Sequence, residues 1–430
     1  MKKYTLVLFV LFLSSRAFSQ TLSLSDAVSI ALKNNLDIEV LKNNVQIADI
    51  NNHISIAGGR PTVTATINDN EQITNVNQKL NTGVEIRRNG AAANQLNSNV
   101  TATILLYNGN RVKFVKKRLE QVELQSLQLV NAQVQNTIAA VMTKYYDVIR
   151  QQAYTRTIDQ SIDVAQKRLD IVKAQQSVGL ANNADLFQSQ IDLNTLYQTK
   201  QSQQLIIEQA KTDLLLLMNV RPDTLISVQD TIIVERGIGL NDILKKLDRN
   251  AELMAADYQI RIAEQLIKET TALRYPSLRA NAGYSYNRNQ QAAGLTLLNQ
   301  SSGPLIGLSL SIPIYNGGIF KRQEQIAGIN AKNAGLQKSI LMRNFSNTAV
   351  RTYQAYTMSL QQLEDQKKNI DLAKQLLDLT LQRFQLRQAT IVEVRQAQQS
   401  FENIGYTFTN LSFAAKAAEI ELLRLVNELK

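Results

Sequence analysis

Two hydrophobic periods alternate along this chain, and the alternation is written twice. From Thr21 to about Ala57 the spacing is helical: Ser23 and Asp26 resemble a capping box, and Ala27, Ile30, Ala31, Asn34, Ile38 and Leu41 follow on one face. At Pro61 the period drops to two. Val63, Ala65 and Ile67 alternate with Thr62, Thr64, Thr66 and Asn68, and after a polar stretch rich in Asn and Gly, Val100, Ala102, Ile104 and Leu106 alternate up to Tyr107. Neither Pro nor Gly then interrupts the helical pattern from Asn110 to about Gln176, which predicts about 100 Å of helix. Its seam is Ile158, Ile162, Ala165, Leu169 and Val172, at heptad spacing. A turn at 177–182 leads into a second helix ending near Asn219, with Ile207, Ala210, Leu214 and Leu217 as its seam.

The second copy lies 208 residues on. The corner Tyr107–Asn108–Gly109–Asn110 returns as Tyr315–Asn316–Gly317–Gly318, Ala165 and Leu169 return as Ala373 and Leu377, and Leu217–Met218–Asn219 returns as Leu425–Val426–Asn427. A fixed offset over that distance is an internal duplication. Pro276 matches Pro61; Leu278, Ala280, Ala282, Tyr284 and Tyr286 then alternate with polar residues, as do Ile306, Leu308, Leu310 and Ile312. From Pro to corner Tyr the copies span 107 − 61 = 46 and 315 − 276 = 39 positions, so the first hairpin loop carries about seven more. A second helical hairpin follows, with Ile370, Ala373, Leu377, Thr380 and Phe384 before its turn and Ile404, Phe408, Leu411, Ala415, Ala418, Leu422, Leu425 and Leu429 after it.

The expected organisation is therefore a signal peptide over 1–19, a first repeat over 20–220, an extended linker over 221–238 and a second repeat over 239–430. The repeats place strands at about 61–68 and 98–107, and at about 276–287 and 304–315. The signal peptide rests on Lys2 and Lys3, the apolar run Leu6–Leu13, and Ala17 and Ser19 before a cleavage point at Gln20. Its apolar run is far short of the roughly 20 residues a spanning helix needs. Export takes Lys2, Lys3 and Arg16 away, which lowers the formal charge from +11 to +8. Part of the excess lies in Arg111–Arg118, RVKFVKKR. Without aromatic platforms or a groove-reading motif it predicts a solvated helix face and no nucleic-acid partner.

Cysteine is absent, so no disulfide framework or thiolate metal site is expected. The chain has one histidine, His53, with no Ser or acid arranged around it as a triad, and no HExxH, P-loop or GxGxxG stands in a fitting context. These observations predict no catalytic residue, no metal and no cofactor. The mature chain has no apolar run of 18 residues, yet four segments alternate as transmembrane β-strands do. Four strands are too few to close a barrel, for which about eight are the minimum. On pattern alone, a shared barrel of several protomers and a soluble β-layer beside a coiled coil fit equally well. The second alternative would make the protein an exported scaffold without a pore.

The order of these features resembles the TolC-like outer membrane efflux protein family: the duplicated helix–strand–strand–helical hairpin unit, the Pro-led strands at Pro61 and Pro276, the YNG corners, and Val178–Gly179–Leu180 followed by Asp185 and a Gln-rich helix. The resemblance implies a mainly α fold with membrane β-strands, in which a homotrimer shares a 12-stranded β-barrel in outer membrane lipid that an α-helical barrel continues into the periplasm. It implies export of small molecules or proteins together with a periplasmic adaptor and an inner-membrane pump or secretion transporter; a passive diffusion pore is the further alternative. Thr62, Thr64, Thr66, Arg279, Asn281 and Ser285 would line the wet interior, with Tyr107, Tyr284, Tyr286 and Tyr315 at the lipid interfaces. Val178, Gly179 and Leu180 would meet the adaptor, and the second-copy residues Leu386, Arg387 and Gln388 depart from that pattern. Glu393 would stand at the tunnel entrance with Asp185 as its first-copy counterpart, and Gln396 replaces a second acid. Tyr107, Gly109, Tyr315 and Gly317 mark the strand–helix corners.

Overall fold

The computed structural model describes residues 21–430; the expected signal peptide lies outside the described residues. In order, the elements are α1 (Leu24–Asn34), α2 (Leu36–Asn51), β1 (Thr62–Lys79), β2 (Glu85–Tyr107), α3 (Arg111–Ser177), α4 (Asn183–Leu217), α5 (Leu240–Lys246) with a 3-10 turn at Leu247–Arg249, α6 (Ala251–Thr271), β3 (Ser277–Gln291), β4 (Leu298–Ser311), α7 (Ile319–Gln385) and α8 (Ile391–Leu425). They divide into two compact units: one of residues 21–42, 128–254 and 340–430, the other of 43–127 and 255–339. The long helices α3 and α7 each contribute to both.

The second unit holds one antiparallel sheet in the order β1-β2-β3-β4. Its register aligns Val63 with Ala102, Ala102 with Ala282, and Ala282 with Ile306. Two positions along, Ala65, Val100, Tyr284 and Pro304 form the next row. Side chains alternate between faces with period two, so this register gathers most apolar residues of all four strands on one face, with Leu105 and Leu305 the exceptions on the other. Thr62, Thr103, Asn281 and Gly307 share the other face with Thr64, Thr101 and Gly283. From Leu278 to Tyr286 the apolar band spans eight steps, about 27 Å along the strand.

The strands of the first hairpin run further than their alternation predicts. β1 continues to Lys79 and β2 begins at Glu85, so most of the polar stretch expected to be loop is paired ladder. Ladder bonds are made by the backbone and persist where both faces are polar; Asn94, for example, donates to Asp69 and Glu71 across the pair (2.7 and 2.8 Å). β4 by contrast stops at Ser311, short of the expected Tyr315, since Pro313 has no N–H for the ladder. Gly283 sits where β2 comes too close for a side chain: a Cβ there would lie 2.3 Å from the carbonyl oxygen of Val100.

The first unit is helical. The expected single helix over Thr21–Ala57 is broken at Asn35, whose backbone is extended and whose Oδ1 accepts from the N–H of Ile38 (2.9 Å), starting a new helix. Asn250 does the same for α6, accepting from Glu252. The Ser23 cap forms as expected, its Oγ accepting from the N–H of Asp26 (3.1 Å). Within one core, α1 packs Ala27 and Ala31 against Val141, Val148, Leu214 and Met218. Tyr145 donates to the carbonyl of Leu22 (3.0 Å), and burial together with the nearby Asp230 pushes its hydroxyl up to about 12. The linker is extended but makes no strand beyond a single bridge between Ser227 and Thr21. Buried Val228 and the carboxylate of Glu419, which accepts from the N–H of Glu235, hold it down.

The coiled-coil seams of α3, α4 and α7 are buried as expected at Ile158, Ala165, Leu169, Val172, Ile207, Leu214, Ala373 and Leu377. In α8 and just past it the expected seam is buried at Ala415, Ala418, Leu422, Leu425 and Leu429. Nearer the turn the packing is displaced: Ile404, Phe408 and Leu411 are only half-buried, and Phe401, Gly405 and Thr409 are buried instead. Gly405 admits Thr157 of α3 so closely that a Cβ would lie 2.6 Å from its methyl.

Gly283→Ala is expected to lower the thermal midpoint measured by circular dichroism in detergent, at a cost of about 1–3 kcal/mol. Gly303→Ala on β4, where a Cβ meets nothing within 4 Å, should stay within about 0.5 kcal/mol.

Candidate functional site

The two helical turns are built on one plan, position for position. α3 ends in a turn where the N–H of Gly179 donates to Gln176 (2.9 Å) and that of Leu180 to Gln175 (2.7 Å), with Gly179 at φ +75°. α7 ends with Arg387 donating to Phe384 (3.1 Å) and Gln388 to Arg383 (2.7 Å), with Arg387 at φ +64°. These are the paired bonds of a Schellman cap, which needs one left-handed residue. Gly takes that conformation freely, whereas Arg takes it at a cost. The departure at Leu386–Arg387–Gln388 is thus one of side chain and not of backbone geometry.

The helices after the turns also start alike. Asn182 caps α4 by accepting from the N–H of Asp185 (2.8 Å), and Thr390 caps α8 by accepting from that of Glu393 (3.3 Å). Asp185 and Glu393 occupy the same third helical position. Glu393 closes a full capping box: its Oε2 accepts from the N–H of Thr390 (2.5 Å) and from its hydroxyl (3.0 Å). Those bonds, the backbone one foremost, hold its carboxyl below the usual range. One oxygen of Glu393 is therefore committed to its own helix. Gln396 is exposed three residues on.

The turns lie together. Ala181 and Leu186 from the first and Ala389 and Ile391 from the second pack on one cluster with Val172, Leu377, Phe384 and Val394. Beyond that cluster apolar side chains face outward: Val178 is 66% exposed, Leu180 54% and Leu386 67%. The arrangement is a polar-capped end carrying exposed apolar side chains, with two carboxylates one residue-type apart at equivalent positions.

Behind the turns stands a charged pair that the helical pattern hid. Arg168 of α3 is wholly buried, donating from Nη2 to Asp192 of α4 (2.8 Å), while its Nε and Nη1 have no partner. Burial pushes its guanidinium below the ordinary value, against the pull of Asp192. Gln188 completes the pair, donating to the other oxygen of Asp192 (2.7 Å). A signal existed in Arg168 standing beside the seam residue Leu169, but a heptad count reads such a residue as flanking.

The corners show why Asn and Gly recur there. Gly109 and Asn110 are both left-handed (φ +67° and +65°), as are Gly317 and Gly318 (φ +66° and +78°). Tyr275 packs against Gly109, where a Cβ would lie 2.7 Å from it. Tyr107 stays in the ladder opposite Leu278, whereas Tyr315 lies beyond β4 and is exposed. The RVKFVKKR segment is less free than a solvated face, because the nearly buried Glu269 of α6 draws in Arg111 (3.3 Å) and Arg118 (3.0 Å). Among the described residues no cluster of side chains could hold a metal ion, and no helix is long and apolar enough to cross a membrane.

A unit of two strands and one long helical hairpin, present twice, with its four strands in one sheet, is the architecture of outer membrane efflux channels. Residues 27–220 and 243–428 match the outer membrane efflux protein family, and the chain belongs to that family. Outer membrane protein TolC of Escherichia coli (strain K12) is 23% identical over 338 residues, covering 75% of this chain and 68% of that protein. In fold, CusC superposes with a TM-score of 0.77 at 18% identity, covering 96% of this chain and 93% of that one. VceC of Vibrio cholerae superposes with a TM-score of 0.77 at 17% identity, covering 94% and 96%. The family is one of outer membrane efflux channels, not enzymes, and the chain takes its place in the outer membrane on that ground.

Gly179→Ala is expected to cost about 1 kcal/mol in urea unfolding, and Arg387→Gly to be neutral or stabilising by up to about 1 kcal/mol. Arg168→Met should be tolerated within about 1 kcal/mol, whereas Asp192→Ala, which strands the buried guanidinium, should cost about 3 kcal/mol in the same assay.

Proposed function

We propose that three copies of this chain form an outer-membrane exit duct for small molecules or proteins, fed by a periplasmic adaptor and an inner-membrane pump or secretion transporter. The observation that carries this reading is the sheet: one apolar face across four strands, and two outer strands, β1 and β4, paired on one side only. In lipid every ladder group needs a partner, so the edges must meet other copies. Four strands from each of three copies make twelve, a closed barrel wide enough to leave a lumen. The polar face with Thr62, Thr64, Thr66, Arg279, Asn281 and Ser285 then lines water, and the apolar face meets lipid.

The exposed Val178, Leu180 and Leu386 support an adaptor contact at the turns, since outward apolar side chains at a helix end suit a partner. Gly179, Arg387 and Gln388 shape those turns. Glu393 supports a ring of three carboxylates at the entrance, with Asp185 outside it and Gln396 contributing no charge. The bonds from Thr390 favour the charged form of each Glu393.

Native mass spectrometry of the protein extracted from outer membranes in mild detergent should give three chains; a monomer released without detergent would instead favour the scaffold. In planar bilayers Glu393→Gln is expected to reduce cation selectivity and block by multivalent cations. Unchanged values would remove the ring while leaving the duct.

A further inference from the structure

Within the unit that carries the sheet, a cavity of about 660 Å³ lies on the polar face at the start of the strands. Three arginines line it, Arg60 before β1, Arg111 at the start of α3 and Arg279 on β3, and no carboxylate does. Hydroxyls of Thr62, Thr103 and Ser311 stand among them. Arg60 and Arg279 are exposed. Glu269, which pairs with Arg111, is outside the lining and is shared with Arg118. The Nε of Arg111 is buried with no hydrogen-bond partner, although its Nη2 reaches Glu269. Among the remaining, mixed lining, which includes Ser55, Asn108 and Ser277, an apolar and aromatic wall is supplied by Leu105, Leu273, Tyr275 and Phe320.

We propose that this cavity is a binding site for organic anions, in which the guanidiniums of Arg60, Arg111 and Arg279 take a carboxylate, sulfonate or phosphate group and the apolar wall takes the body that carries it. Planar guanidiniums donate two parallel bonds to such groups, which a lone ammonium does not. A neutral apolar solute gains nothing from the guanidiniums of Arg60 and Arg279, which have no carboxylate partner, and a cation is repelled by them. The position of the site on the water-lined face rests on the duct reading given above; the binding itself does not. If three copies share a lumen, three such cavities make an arginine-rich girdle, which favours anions at that level.

The test is isothermal titration calorimetry on the full mature chain in mild detergent, with 1-naphthalenesulfonate, 1-naphthylmethylammonium and inorganic phosphate as probes. The sulfonate should bind, the ammonium should not, and phosphate should bind more weakly than the sulfonate. Arg60→Gln with Arg279→Gln should weaken sulfonate binding by about tenfold or more. Arg60→Lys with Arg279→Lys should keep most of it, and Arg87→Gln, elsewhere on the sheet, should change nothing. Circular dichroism shows whether each variant keeps its fold; both substituted arginines are exposed, and the lysine pair serves as the folded, charged reference. Equal binding of sulfonate and ammonium, equal binding by the glutamine and parent proteins, or phosphate binding as tightly as sulfonate would each overturn the proposal. Anion binding lost in the glutamine variant upholds it even if the protein proves not to conduct, an outcome that would count against the duct alone.

Discussion

A strand whose outer edge carries unpaired N–H and C=O groups cannot rest in hydrocarbon, and this protein ends its sheet on two such edges. The apolar face spread over β1 to β4 draws the sheet into lipid, while its edges forbid it to stay there alone. Everything proposed about assembly follows from that conflict. It also explains why an apolar band of about 27 Å coexists with strands that run on as polar ladder beyond it. The band is set by the medium, and the ladder by the backbone.

The helical unit answers a different constraint. Long helices with narrow seams are stable only where their ends are closed, and each end is closed by the same few devices. Left-handed residues at Gly179, Arg387, Asn219 and Asn427 end the helices, and Asn182 and Thr390 start the next ones. Asn219 and Asn427 also donate to the carbonyls of Asn34 and Arg249, fastening each hairpin to the short helix that opens its own repeat. The duplication is thus preserved in backbone conformation even where side chains have diverged, as Arg387 shows. At Glu393 the Oε2 seals the helix end, so the proposed entrance ring would have only the second oxygen of each carboxylate free for a cation.

Charge is distributed unevenly over these tasks. Buried pairs such as Arg168 with Asp192 and Lys416 with Glu419 (2.7 Å) hold helices in one arrangement. Their worth lies in specificity more than in stability, since buried ion pairs return little net energy. The arginines beside the strand–helix corner differ, because no acid is provided for most of their charge. A surplus of cations held around a cavity is a feature of binding and not of folding.

The chain alone determined its duplication, its period changes, its corners and the location of its helical turns. Those depend on neighbours in sequence: alternation of period two, heptad spacing, and Gly or Asn where φ must be positive. The extra length of β1 and β2, by contrast, was illegible, because ladder bonding beyond the apolar band leaves no side-chain pattern. So was the break at Asn35, where one side chain outweighed a continuous apolar period. Three further features needed the folded chain: the register that aligns Val63, Ala102, Ala282 and Ile306, the burial of Arg168, and the meeting of Arg60, Arg111 and Arg279. Each joins residues from separate strands or helices, and only tertiary packing decides which of them face one another.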